Sequence, residues 1–279
     1  MSKFVPTLFI GLFIAFAVTF LVAPTAMLAS QSVSGEHGLT LEYLADLRQY
    51  QYVVAFKNSI VLSATSALVG VVAGGLLAHT VLQPGAPRGL QSAVTSFSAV
   101  AANFGGVPLA FGFVATLGSL GLLTQGLRGL GIDIYAMGFR LYTVAGLTVV
   151  YSYFQIPLMV IIITPALQAL KPAWREASEN LGATPAQYWR MVGLPVLLPS
   201  LFSSFILLFG SAFSAYATAY ALTSGNLPLL TTQIGNVLSG DVMSSPQTGA
   251  ALSVGMIVVM VGVLGLSAAL SRRASRWHT

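Results

Sequence analysis

The sequence predicts an all-α, polytopic membrane protein with about six transmembrane helices and both termini in the cytoplasm. Three observations carry this reading. Hydrophobic residues make up 56% of the 279-residue chain and charged residues only 7%. A soluble domain carries about 25% charged residues, so this chain has too little charge to coat a water-exposed surface. Apolar runs recur at the length a bilayer demands, roughly 20 residues for a hydrocarbon core about 30 Å thick. Basic residues also concentrate in alternate loops, as the positive-inside rule requires.

The runs fall near Val5–Leu28, Asn58–Leu82, Leu90–Leu117, Leu141–Leu167, Leu198–Thr223 and Gly249–Leu270. The first exceeds the roughly 7–15 apolar residues of a cleavable signal peptide, and no small-x-small site closes it, so a retained span is expected. After it, "GLTLEYLADLRQYQYVVAFKNS" places Leu41, Leu44 and Leu47 at helical spacing. This predicts a short interfacial helix with Thr40 as N-cap. In the second span Ser66, Gly70, Gly74 and Ala78 recur at every fourth place. Such a small-residue stripe lets helix backbones approach closely and reads as structural.

Polar side chains inside a span turn toward protein or a water-filled path. Candidates are Asn103 at mid-depth of the third span, and Tyr153 and Gln155 in the fourth, two residues before Pro157. An amide at either place can bond a neighbouring helix or line a path. In the fifth span Ser203, Gly210, Ser211, Ser214, Thr218 and Ala221 share one helical face. Phe202, Phe205, Phe209, Phe213, Tyr216 and Tyr220 share the opposite one. Small residues also mark helix contacts, so packing and pathway both remain open.

With the N-terminus inside, the inner loops hold Lys3, Arg88, Lys171, Arg175, Arg190, Arg272, Arg273 and Arg276 against Glu176 and Glu179. The outer loops hold Arg48, Lys57, Arg128 and Arg140 against Glu36, Glu42, Asp46, Asp133 and Asp241. The net charges are +6 inside and −1 outside, the sign expected for cytoplasmic termini.

The largest inner loop contains the most polar stretch of the chain, "EASENLGATPAQYWRMVGLP", Glu176–Pro195. Pro172 suits a first helical turn, and Gly182 suits a left-handed helix stop. Thr184, Pro185 and Gln187 read as N-cap, first helical residue and capping-box partner. The second helix carries Tyr188, Trp189 and Val192 and is expected to end by Gly193–Pro195, giving two short helices outside the bilayer. Such a loop either rests on lipid headgroups or docks a cytoplasmic partner, with Tyr188 and Trp189 as exposed aromatic anchors.

Glu176-Ala177-Ser178, three residues, Gly182, nine residues, Val192, one residue, then Leu194-Pro195 resembles the EAA loop of binding-protein-dependent ABC importer permeases. Ser178 stands where that pattern usually has alanine. The resemblance extends over Asn58–Leu270. "FKNSIVLSATSALVG" resembles the opening of the family's core, and "NFGGVPLAFGFVATLGSLGLLT" and "LTSGNLPLLTTQI" are similar to its polyamine-type, spermidine/putrescine-like branch. The resemblance implies that the loop forms the coupling helices seated in a cleft of the ATPase. Coupling would fall to Glu176, Ala177, Ser178, Gly182, Ala183, Tyr188, Trp189, Leu194 and Pro195. It further implies two ATPase subunits holding ATP and magnesium, a second permease (the same or related), and an extracytoplasmic substrate-binding protein. The setting would be a prokaryotic cytoplasmic membrane.

The expected organisation is a first span and external loop over 1–57, a permease domain over 58–270 with its EAA loop at 171–197, and a basic tail over 271–279. No lysine follows a glycine, so there is no P-loop, and ATP hydrolysis is expected elsewhere. Neither His-Glu-x-x-His nor Gly-x-Ser-x-Gly occurs. His37, His79 and His278 are too dispersed to suggest a metal cluster, and cysteine is absent. No catalytic residue, bound cofactor or nucleic-acid partner is therefore expected. An ion-coupled secondary transporter would be expected to show intramembrane carboxylates or matched broken spans, and the spans hold no acidic residue. A membrane scaffold recruiting a soluble protein is the other alternative.

Overall fold

The computed structural model describes residues 4–35, 38–83, 85–239 and 245–275. Lys3, Glu36, Asp241, Arg276 and the imidazoles of His37 and His278 lie outside them, as does the end of the basic tail. Among the described residues six helical stretches are long and apolar enough to cross a bilayer: Phe9–Gln31, Tyr50–Val81, Gly106–Gly129, Val144–Gln168, Pro185–Ser214 and Pro246–Ala268.

The first stretch comprises α1 (Phe4–Ala17) and α2 (Ala23–Gln31), joined by a π-helical turn at Val18–Val22. The turn ends two residues before Pro24. Proline lacks an N–H and its ring clashes with the carbonyl four residues back, and a widened turn relieves both. A hairpin of β1 (Ser34–Gly35) and β2 (Gly38–Leu39) follows. The interfacial helix is the single turn α3 (Glu42–Asp46), with Leu41 rather than Thr40 in the N-cap position. Thr40 Oγ1 still accepts the Glu42 N–H at 3.2 Å.

The second span starts earlier than expected, at α4 (Tyr50–Val69), and continues through a π-turn at Gly70–Gly74 into α5 (Gly75–Val81). It packs on α9 (Val144–Gln168), the most buried span. The small-residue stripe makes this contact possible. A Cβ at Gly70 would lie 3.0 Å from Gln155 Cβ on α9 and 2.6 Å from Leu208 Cδ2 of the later helix 194–214, and one at Gly74 2.5 Å from the Ile156 carbonyl oxygen and 2.7 Å from Met159 Cβ.

The expected continuous run Leu90–Leu117 is divided. α6 (Arg88–Ala101) and α7 (Gly106–Leu117) are separated at Asn103–Gly105, and Gly106 adopts φ +76°. Two adjacent glycines release the backbone at that point. Beyond α7 come α8 (Leu122–Gly129) and a turn in which Arg128 and Asp133 pair at 3.0 Å. The Ala136 N–H and the Arg128 guanidinium hold the Asp133 carboxyl below the usual carboxylate range.

After α9 come α10 (Pro172–Asn180), α11 (Pro185–Tyr188), α12 (Leu194–Ser214) and α13 (Ala217–Thr223). The last elements are α14 (Leu230–Leu238) and α15 (Pro246–Ser275). Asn58 Nδ2 donates to the Pro228 carbonyl at 3.0 Å, and the Leu230 N–H donates to Ser59 Oγ at 2.8 Å. These bonds staple the α13–α14 connection to α4.

Candidate coupling loop and translocation path

α10 and α11 are capped by the residues the sequence singled out. At the end of α10 Gly182 adopts φ +80°. Its N–H donates to the Glu179 carbonyl at 2.9 Å, and the Ala183 N–H donates to the Ser178 carbonyl at 2.9 Å. This pair of bonds is the Schellman motif. Thr184 Oγ1 accepts the Gln187 N–H at 3.3 Å, and Gln187 Oε1 accepts the Thr184 N–H at 2.7 Å, closing the capping box. Arg175 and Glu179 pair at 2.9 Å along α10. Ser178 Oγ donates to the Arg175 carbonyl at 2.7 Å, so the hydroxyl that departs from the alanine pattern is satisfied within its own helix.

Glu176, Ala177 and Gly182 are exposed, and Ser178 and Ala183 are half-buried. Leu181 is 88% exposed at the tip of the turn. Trp174, Ala177, Ser178, Leu181, Val192 and Val196 line a shallow groove of about 320 Å³. The loop therefore offers an apolar groove and a protruding leucine, framed by the charges of α10.

Two expectations for the loop are corrected. Tyr188 is buried and Trp189 half-buried, so they are not the exposed anchors. Trp189 meets His79 edge-on at 4.6 Å and lies over Gly193, where a Cβ would fall 2.7 Å from its ring. The second helix also does not end at Gly193–Pro195. α11 passes through a π-turn at Trp189–Gly193 directly into α12, and Pro195 sits in the first turn after it. Leu194 and Pro195 therefore belong to the fifth span. Any displacement of α11 is carried into that span without an intervening loop.

The path candidates separate. Gln155 is fully buried and donates to the Leu208 carbonyl at 2.9 Å and to Ser66 Oγ at 3.5 Å. It ties α9 to α12 and α4, while its Oε1 has no hydrogen-bond partner among the described residues. Asn103 stands exposed at the α6–α7 break, its amide donating to the Ala99 carbonyl at 2.9 Å. Tyr153 is half-buried, with its ring beside Phe104 at 6.2 Å and Phe113 at 6.0 Å. Ser203 and Ser214 are exposed and Ser211 is half-buried; on the aromatic face only Phe209 and Phe213 are in the core, Phe205 is half-buried, and Phe202, Tyr216 and Tyr220 are exposed, so the two faces do not divide cleanly by burial.

Thr218 leaves this group. α12 stops at Ser214, where Ala215 turns extended at ψ 104°, so the continuous helical face ends there. Thr218 is buried and accepts the Gly106 N–H at 2.7 Å. Tyr151 Oη donates to the freed Ala215 carbonyl at 3.0 Å. Two broken helices are thereby locked together, a junction the sequence reading missed. The Gly-Gly pair signalled one break; no glycine or proline marks the other.

Helical architecture, six apolar stretches and a capped polar loop define a multi-pass membrane protein. Known proteins agree. No family model matches the chain. It is 29% identical over 121 residues to the spermidine/putrescine transport system permease protein PotC homolog of Mycoplasma genitalium, covering 43% of this chain and 40% of that protein. It is 24% identical over 220 residues to a probable sulfate transport system permease protein of Helicosporidium, covering 77% and 76%. A bacterial ABC transporter involved in alginate import shares the fold at a TM-score of 0.76 and 20% identity, over 98% of this chain and 96% of that one. A bacterial alginate ABC transporter in complex with its alginate pentasaccharide-bound periplasmic protein gives a TM-score of 0.74. The chain is thus similar to permease proteins named for spermidine/putrescine and sulfate transport, and it shares its fold with a subunit of bacterial ABC transporters.

Proposed function

We propose that this chain is the membrane-spanning permease subunit of an ATP-driven importer. With a second permease it forms the path for a small solute delivered by an extracytoplasmic binding protein. One observation carries the reading most directly: a doubly capped helix pair presents an exposed groove and continues unbroken into α12. That is a rigid transmission from a docking surface to a path-lining helix. The relatives named for transport and the alginate transporter seen with a periplasmic protein support the partner set. Two ATPase subunits, holding ATP and magnesium, would seat on α10 and α11 in the cytoplasm of a prokaryote. Closure of the ATPases would turn the path outward.

The relatives named for spermidine/putrescine and for sulfate move ions of opposite sign. α9 and α12 contain no charged residue, so the path offers hydroxyls and aromatic faces rather than a counter-charge. The cargo's charge is therefore read by the binding protein, and a polyamine-like solute is compatible with this arrangement. The test is reconstitution with a candidate ATPase and binding protein. Solute-loaded binding protein should stimulate ATP hydrolysis, and Leu181→Asp should abolish the stimulation while insertion persists. Uptake driven by an ion gradient without ATP would overturn the reading.

A further inference from the structure

Several hydroxyls inside the spans are satisfied by their own helix. Thr65, Thr148, Ser152 and Ser204 each donate to the carbonyl four residues back. Ser63, within α4, does not. Its side chain belongs to a residue only 1% exposed, and its Oγ has no hydrogen-bond partner among the described residues. A buried hydroxyl without a partner is costly, because it has given up its bonds to water and gained none. Ser63 lines a small cavity of about 10 Å³, where α4 meets α9, the end of α12 and the start of α14.

Further hydroxyls line the same cavity. Ser59 stands one turn before Ser63 on the same face of α4. Its Oγ accepts the Leu230 N–H at 2.8 Å, which leaves its own proton to donate. Thr231 lines the cavity from α14 and is half-buried. Tyr151 adds its Oη, which donates to the Ala215 carbonyl at 3.0 Å and can still accept. One buried water needs roughly 10–15 Å³ of such space and about 2–4 polar partners, and this cavity supplies both. No charged residue lines it, so a cation there would exchange its hydration for neutral oxygens alone. A larger solute does not fit.

We propose that this cavity is a binding site for a single water molecule, held by the hydroxyls of Ser59, Ser63 and Thr231. The water joins α4 to α14 beside the break that follows Ser214. It extends the staple already made by Ser59 and the Leu230 N–H. The site does not depend on the ATP-coupled reading, so either can fail alone.

The test is thermal unfolding of the full-length chain in detergent, run as a double-mutant cycle. Ser63→Ala should lower the melting temperature by about 2–4 °C, the size of one lost hydrogen bond in a chain of this length, because the water loses a partner. If no water is held, the same change removes an unpaired buried hydroxyl and leaves the melting temperature unchanged or raises it; either result would overturn the proposal. Thr231→Val should cause a similar fall. Ser63 Oγ makes no direct bond to Thr231, so a shared water is what couples them. The double variant should therefore fall no further than the larger single variant. Losses that simply add would mean that each hydroxyl is satisfied separately, and would sink the site. Exchanging sodium for choline in the buffer should leave the Ser63→Ala shift as it was. A shift seen only in sodium would make the occupant a cation and would equally rule out the water.

Discussion

Glycines in this chain do two different jobs, and substitutions separate them. Gly182 has open space where a Cβ would stand, but its φ is +80°. Only backbone conformation restricts that site. Left-handed geometry costs a non-glycine residue about 1–2 kcal/mol and is most tolerable for asparagine. Gly182→Val should uncouple ATP hydrolysis from uptake while the protein still inserts, and Gly182→Asn should retain most coupling; both are read from solute-stimulated ATPase activity. Gly74 has ordinary helical φ but no space, because backbone and Met159 press against it. Gly74→Val should prevent accumulation of folded protein in the membrane, and Gly75→Ala, one residue on, should not. At this scale much was legible. Gly182, Thr184, Pro185 and Gln187 each have a local conformational signature, and the Gly70–Gly74 stripe has a period. The burial of Tyr188 was not legible, because an aromatic side chain on an amphipathic turn looks the same whether it points to a partner or to its own chain.

Among the elements, the broken helices α6–α7 and α12–α13 are the departure from a simple six-rod bundle. Breaking a helix within a membrane frees backbone groups that lipid cannot satisfy. Here Thr218 Oγ1 accepts the Gly106 N–H, and Tyr151 Oη serves the Ala215 carbonyl. Thr218→Val keeps the volume and strands the half-buried Gly106 N–H, against a cost of about 1–3 kcal/mol for a fully buried donor. Thr218→Ser should restore the bond and leave thermal stability in detergent close to wild type. Equal melting temperatures for the valine and serine variants would show that the junction is not held by this bond. The first break could be suspected from Gly105–Gly106. The second could not: Ser214, Ala215 and Tyr216 continue an unremarkable helical pattern, and only the fold supplies the partners that make a break tolerable. The same limit hid the continuity of α11 with α12. Proline and glycine at Gly193–Pro195 read as a stop, yet a π-turn and first-turn placement absorb the proline.

For the whole molecule, the decisive matter is which surface of α12 faces water. The sequence placed Ser203, Ser211 and Ser214 opposite Phe209 and Phe213. The fold buries both phenylalanines against this chain's own helices and leaves Ser203 and Ser214 uncovered, though Phe202, Tyr216 and Tyr220 on the aromatic face are uncovered as well. Ser214 Oγ donates to the Gly210 carbonyl at 2.9 Å within its own helix, so Ser203 is the uncovered hydroxyl that needs another polypeptide or water at membrane depth. The chain has no cysteine, so single cysteines can be introduced at Ser203, Ser211 and Ser214 without background, with Phe209 and Thr218 as buried controls. In the assembled transporter a small water-soluble thiol reagent should label the three serine positions and leave the controls inert. Because α11 runs into α12 without a loop, nucleotide binding on the far side of the coupling surface should change the labelling rate along this face. The change should be lost when Gly182→Val is added, since the connection then no longer transmits. Nucleotide-independent inertness of all three serine positions would assign the face to a protein contact and move the path to the surface around Asn103 and Tyr153. Labelling that shifts with nucleotide even in the Gly182→Val background would break the link between the coupling loop and the fifth span on which the proposed mechanism depends.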